Sequence, residues 1–211
     1  MRNLIGLSVC LLLMWSCGYE PRPFDANLSE RLDSLASVDQ AVQTALFTTS
    51  SKAEYDSLHL LKEKTFVRHC AWLKQYLNTE GYPGFDRVGE ESSSNFWLMV
   101  QHCDEDLDFQ KQVLRALKME VDRENASGSN YAYLYDRVQI NQGLEQSYGT
   151  QLDYSWDGQA FARPVRDSLA VNERRLALGL EPLEDYLAWV TEAHRARNKD
   201  YYEALRDSLG L

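Results

Sequence analysis

Apolar residues recur at helical spacing through most of this chain and at strand spacing only once. That pattern confines it to a helical domain with a single small β element. Within residues 28–47 the stripe is Leu32, Leu35, Val38, Val42, Ala45 and Leu46. Ser29, Glu30 and Asp33 put a hydroxyl and acids at its start, where capping and the helix dipole favour them. Residues 51–77 carry Tyr55, Leu58, Leu61, Thr65, Cys70, Leu73 and Leu77, a long amphipathic helix. Gly81-Tyr82-Pro83-Gly84 stops it, because proline cannot continue the hydrogen-bond ladder. A third helix is predicted over 90–102 with Phe96, Trp97 and Val100 inward. A fourth over 107–123 opens at Asp104-Glu105-Asp106 and buries Phe109, Val113, Leu114 and Leu117. After a loop at 125–130, an aromatic-rich helix is expected over 131–142, ended by Gly143.

The exception lies between residues 146 and 165. Tyr148, Thr150, Leu152 and Tyr154 alternate at period two, Ser155-Trp156-Asp157-Gly158 is a hairpin turn signal, and Ala160-Phe161-Ala162-Arg163 forms the returning strand. A helix over 171–178 ends at Gly179, and Pro182 starts one long terminal helix with Tyr186, Trp189, Val190, Tyr202 and Leu205. The fold class is mainly α, about six to seven helices with one small β-hairpin near residues 147–163.

The chain begins MRNLIGLSVCLLLMWSCG. Arg2 supplies a positive start, and Leu4 to Trp15 form an uncharged, leucine-rich run. That run is too short for a membrane-spanning helix, which needs about 20 apolar residues, but suits the core of a signal peptide. Leu13-Met14-Trp15-Ser16-Cys17 resembles the lipobox of bacterial lipoproteins, in which the cysteine is acylated and becomes the new N-terminus. The resemblance implies a signal peptide over residues 1–16, lipid on Cys17, and a protein held at a bacterial membrane in the cell envelope, periplasmic or on the outer surface. Pro21 and Pro23 then make residues 17–27 an extended tether, leaving 28–211 as a single domain.

Loss of residues 1–16 removes Arg2 and leaves 21 basic against 32 acidic residues. The formal charge goes from −10 to −11. Such a surface disfavours nucleic acid, whose phosphates need cations to replace their counterions, and disfavours adsorption to anionic lipid. The expected membrane partner is therefore reached through Cys17, and any small-molecule or protein partner is left open. Of four cysteines, Cys10 goes with the signal and Cys17 is acylated. Cys70 and Cys103 could pair in an oxidising envelope, but each falls inside a predicted helix, and two buried free thiols are the favoured reading.

Several strings, taken in order, resemble a bacterial family known only as a domain of unknown function, of the DUF6624 type. They are Gly81-Tyr82-Pro83, Val88-Gly89, Gln101-His102-Cys103-Asp104, Tyr133-Leu134-Tyr135-Asp136-Arg137, Gln146-Ser147-Tyr148-Gly149-Thr150-Gln151, Val171-Asn172-Glu173-Arg174-Arg175 and Gly179-Leu180. The resemblance covers roughly Gly81 to Tyr186 and implies a mostly helical fold, with no activity, cofactor or substrate attached. It marks His102, Asp104, Asp136, Arg137, Gln146, Tyr148, Thr150 and Gln151 as shared polar positions. Cys103 stands where the family pattern has a small apolar residue, which argues against a nucleophilic cysteine.

Among these, His102, Asp104 and Asp136 are the candidates for acid–base work, since a carboxylate can orient an imidazole. Arg137, Gln146, Tyr148, Thr150 and Gln151 are the candidates for binding, with Arg137 able to fork onto an anion. Each has a structural counterpart: capping by Asp104 or Asp106, a salt bridge from Arg137 to Asp104 or Glu173, and satisfaction of helix ends by the 148–151 segment. Asp104, Asp106 and Asp108 alternate as in a calcium loop, but Phe109 and Arg115 occupy the places of its glycine and glutamate. His59, His69 and His194 lack ligand spacing and are expected at the surface or in packing. No metal site or cofactor is expected, for there is no zinc signature, phosphate loop or nucleophile elbow. The expectation is an envelope lipoprotein with a ligand-binding or interaction domain. The alternatives are a hydrolase-like enzyme built on His102 with Asp104 or Asp136, and a scaffold using Tyr131, Tyr133 and Tyr135.

Overall fold

The computed structural model describes residues 21–209, so the signal peptide expected over residues 1–16 and the expected lipidation site Cys17 lie outside the described residues. The described residues form eight α-helices and one hairpin. Helix α1 (Ala26–Thr48) is capped by Asp25, whose carboxylate accepts from Leu28 N–H. The expected cap Ser29 instead lies inside the helix and hydrogen-bonds Ser92. Arg22 reaches the carbonyls of Glu80 and Tyr82, so the last part of the predicted tether is pinned to the body.

Helix α2 (Lys52–Glu80) starts at a Ser51 cap and stops at Gly81, whose φ of 77° favours glycine. Its core face is Thr65, His69, Leu73 and Leu77, whereas Tyr55 and Leu61, expected inward, are exposed. Helix α3 (Phe85–Val100) is interrupted at Gly89, so its regular part begins at Glu90 as the spacing predicts. Helix α4 (Leu107–Val121) is capped by Asp106, whose carboxylate accepts from Phe109 N–H. Helix α5 (Gly128–Asn141) is capped by Ser127. α1 packs mainly on α3 and α2, and α5 covers α4. Leu32, Leu73, Phe96, Phe109, Val113 and Leu117 meet in the common core.

Strands β1 (Leu152–Tyr154) and β2 (Ala160–Ala162) pair antiparallel, with Asp153 opposite Phe161. The strand does not extend back to Tyr148. Gly149 has φ 73° and residues 147–150 curl around a buried carboxylate, described below. A single 3₁₀ turn (Ser168–Ala170) leads into α6 (Val171–Leu176), then α7 (Leu183–Arg197) and α8 (Lys199–Leu209). The predicted single terminal helix is two, because Asn198 leaves helical geometry and its side chain donates to the His194 carbonyl.

The two remaining cysteines are not free thiols. Cys70 on α2 and Cys103 just past α3 form a disulfide with Cα atoms 5.8 Å apart. Neither periodicity nor spacing could reveal that the end of α3 abuts the middle of α2, so the pairing lay beyond the sequence.

Candidate functional site

The sequence-derived polar residues divide into two groups with different surroundings. The larger group is architecture. Asp136, wholly buried on α5, accepts the N–H groups of Ser147 at 2.7 Å, Tyr148 at 3.1 Å and Thr150 at 3.0 Å. The Thr150 hydroxyl adds a fourth donor at 3.0 Å. Burial pushes the Asp136 carboxyl up from its ordinary value, while these donors pull it back. Arg174 and Arg175 hold the other side of the same segment, donating to the carbonyls of Ser147 at 2.8 Å and Tyr148 at 2.7 Å.

Gln146 completes the knot. Its amide donates to the Gln151 and Arg163 carbonyls and its oxygen accepts from Gln151 N–H. The Gln151 side chain returns to the Thr150 hydroxyl at 3.3 Å, and Tyr148 packs edge-on to Tyr135. The side chains of Gln146, Thr150 and Gln151 and the backbone of Tyr148 thus hold the hairpin on α5. None of them lines the cleft described next. The pairing of His102 with Asp136 foreseen from sequence does not form, because Asp136 is consumed by this segment.

The second group gathers where α1, α2 and the turn after α3 meet. His102 follows the last residue pair of α3 and donates or accepts through Nδ1 at 2.9 Å from Asp39 Oδ2. Asp39, on α1, is fully buried. Its second oxygen accepts from the amides of Gln40 at 3.0 Å and Gln43 at 3.2 Å. Burial opposes the charge on Asp39, but His102 and His69 outweigh it and hold the carboxyl down at about 2. An ionised Asp39 requires the proton of neutral His102 to sit on Nδ1, which leaves the lone pair on Nε2. That atom is 3.3 Å from the Gln43 amide nitrogen, a donor of matching sign.

His69 approaches from α2 with Nδ1 3.8 Å from the same Asp39 oxygen, beyond hydrogen-bonding reach. It is buried, and among the described residues neither that nitrogen nor the Thr65 hydroxyl on the same helix face has a hydrogen-bond partner. The Phe66 ring stacks on the His102 ring at 4.5 Å and fixes its plane.

His102 stands on the wall of a cleft of about 910 Å³, with Gln43, Phe66 and the disulfide beside it. Asp104 and Arg137 border the same cleft but are occupied with each other. Arg137 Nε donates to Asp104 Oδ1 at 2.7 Å while its Nη2 reaches Oδ2. Burial works against the Asp104 charge, yet Arg137, with Gln110 and Asn141, keeps its carboxyl below the ordinary value. The structural role foreseen for Arg137 is the one it has, and His102 takes its carboxylate from Asp39 rather than Asp104. Lys74 is paired with Asp106, whereas Lys62 lies over the Phe66 ring at 5.7 Å and borders the cleft.

Chemically, an imidazole held by a buried carboxylate on the wall of a cleft can accept or deliver a proton, here where a ligand takes the place of the Gln43 amide at Nε2. The cleft offers no serine or threonine hydroxyl, and its cysteines are oxidised. A proton taken by His102 would therefore come from a ligand or from water. Among the described residues no group of three or more His, Cys, Asp or Glu side chains is placed to hold a metal ion.

Sequence reasoning missed Asp39, Gln43 and the burial of His69. The signal for Asp39 was present, since residues 28, 32, 36 and 39 fall on one helical stripe and an acid on that stripe must be buried with a partner. A family model described as a family of unknown function, DUF6624, matches residues 26–199. No curated protein and no solved structure matches the chain.

Proposed function

The chain belongs to the DUF6624 family, whose function is unknown, and we propose that it is a lipid-anchored protein of the bacterial cell envelope whose helical domain binds a small polar ligand in the cleft at His102. The carrying observation is the Asp39–His102 pair. A buried ionised acid orients a partly exposed imidazole toward a space large enough for a small molecule. Burying Asp39 costs stability that apolar packing at that position would not, which motivates a role for the imidazole it holds.

The envelope location is supported by the lipobox-like segment before Cys17 and by the Cys70–Cys103 disulfide, since such bonds persist in oxidising compartments. Among the described residues no helix is long and apolar enough to cross a membrane. Attachment through lipid accounts for membrane association of an acidic chain. Cys17→Ala is expected to move the protein from the membrane pellet to the soluble fraction on cell fractionation. A variant that still pellets after a carbonate wash would remove the anchor from this reading.

For the cleft, the test is a screen of envelope metabolites against the full chain by thermal shift, followed by titration of any hit. His102→Ala is expected to weaken a true ligand by roughly tenfold or more, the value of about one charge-assisted hydrogen bond. A hit whose affinity ignores His102 would place binding elsewhere.

A second reading is favoured by the orientation of the imidazole itself. His102 would be the general base of a hydrolase-like reaction, with Asp39, not Asp104 or Asp136, as its orienting carboxylate. Turnover that survives His102→Ala would refute it.

A further inference from the structure

The histidine pair and the disulfide are built from the same two stretches of backbone. His69 and Cys70 are consecutive on α2, and His102 and Cys103 are consecutive beyond the end of α3. One covalent bond therefore joins the two segments whose imidazoles converge on Asp39 Oδ2. His102 especially needs such a tie, because α3 ends at Val100 and His102 sits in the turn leading to α4. Its backbone is held there by turn hydrogen bonds, His102 N–H to Met99 O and Cys103 N–H to Val100 O, each at 3.1 Å. The next residue, Asp104, is tied to Arg137 and Gln110, on helices other than the one that carries Asp39. A displacement of that turn by about 1 Å would lengthen the 2.9 Å bond to Asp39 past useful reach.

The disulfide is also approachable. Cys103 is buried, but Cys70 is only half-buried and both border the cleft that His102 faces. Of the two cysteines, Cys70 is the less buried.

We propose that Cys70 and Cys103 are positioning residues for His102. Their disulfide holds the imidazole on Asp39, and reduction by a dithiol releases it and disables the site. In the exchange, a reductant thiolate attacks the Cys70 sulfur and forms a mixed disulfide, and the Cys103 sulfur leaves as a thiolate and takes a proton. The reductant's second thiol then displaces Cys70. Two electrons and two protons pass to the protein, and the reductant becomes the disulfide. This rests on His102 being the functional group of the cleft, but the positioning itself is measurable without any ligand.

The experiment is proton–nitrogen NMR of the full chain, isotope-labelled and held in detergent, before and after dithiothreitol. In the oxidised protein the His102 Nδ1–H bonded to Asp39 is expected as a protected downfield imidazole signal, assigned by its absence in His102→Ala. After reduction the signal is lost while the far-ultraviolet helix signal stays. The double variant Cys70→Ala/Cys103→Ala, which leaves small apolar residues at both positions, matches the reduced protein. Persistence of the signal in the reduced, still helical protein overturns the proposal. So does its absence from the oxidised protein, and so does wholesale unfolding on reduction, which would make the bond a staple of the fold only. A cleft that binds nothing while the signal follows the disulfide would refute the ligand reading and leave the positioning role standing.

Discussion

Asp136→Ala is expected to destabilise the domain by about 3–5 kcal/mol, measured as a lower urea midpoint with an unchanged slope. The carboxylate is the common acceptor for three backbone N–H groups and one hydroxyl, and no water-exposed position is open to them. Truncation leaves those donors without a partner in the interior, which costs far more than the lost attraction alone. Asp136→Asn is expected to be nearly as damaging despite its equal size, because its amide turns one donor toward the N–H groups it should accept. The result discriminates sharply between two roles. A catalytic Asp136 would give a stable protein without activity, whereas an architectural one gives a protein that unfolds early. A variant of either kind with wild-type stability would show that the 147–150 segment does not depend on this acid.

The same residue shows how much of the molecule could be read in advance. Helix positions, the hairpin turn at Ser155–Gly158 and the Asp106 cap were legible because each rests on a local rule of spacing or capping. Tyr148, Thr150, Leu152 and Tyr154 read as a strand because their alternation is of period two. Asp136, however, offers three backbone hydrogen bonds that compete with a strand ladder and win. The string of polar residues around it was therefore visible as a pattern and opaque as to purpose.

His102 was singled out from sequence, but its partner was not. Asp39 lies 63 residues away on another helix, and only the packing of α1 against α3 brings them together. Its presence on the buried stripe of α1, in place of an apolar side chain, was the one local hint. Val38, next to it, falls on the stripe the spacing predicts to face inward, yet it is exposed. The cystine was equally hidden, since two thiols on separate helices carry no mark of their separation in space.

Asp39→Asn is the second large expectation, and it joins stability to function. The folded carboxyl titrates at about 2 against an ordinary 3.8, so the folded state binds its proton less readily than the unfolded chain. The contribution is therefore fully present above the ordinary value and is lost as pH falls through the folded one. Its size is on the order of 2 kcal/mol, since each tenfold change in proton affinity is worth about 1.36 kcal/mol. Acid denaturation of the wild type and of Asp39→Asn is expected to show a stability gap that is constant above about pH 4 and closes as the pH approaches 2. A gap of the same size at pH 2 would mean that the loss comes from packing and not from the charge.

The functional consequence runs through the tautomer. An asparagine can turn its amide nitrogen toward His102 Nδ1, which then accepts, and the ring proton moves to Nε2. Nε2 changes from acceptor to donor, so the Gln43 amide, or a ligand that gives Nε2 a hydrogen bond in its place, is no longer served. Ligand affinity or turnover is expected to fall by at least about tenfold, in the direction seen when the orienting acid of a catalytic histidine is neutralised. Asp39 is buried and reaches the cleft through two of its lining residues, His102 and Gln43, so His102→Ala and Gln43→Ala separate the two routes. Equal loss in Asp39→Asn and His102→Ala, with no further loss in the double variant, would be the signature of one unit acting through one nitrogen.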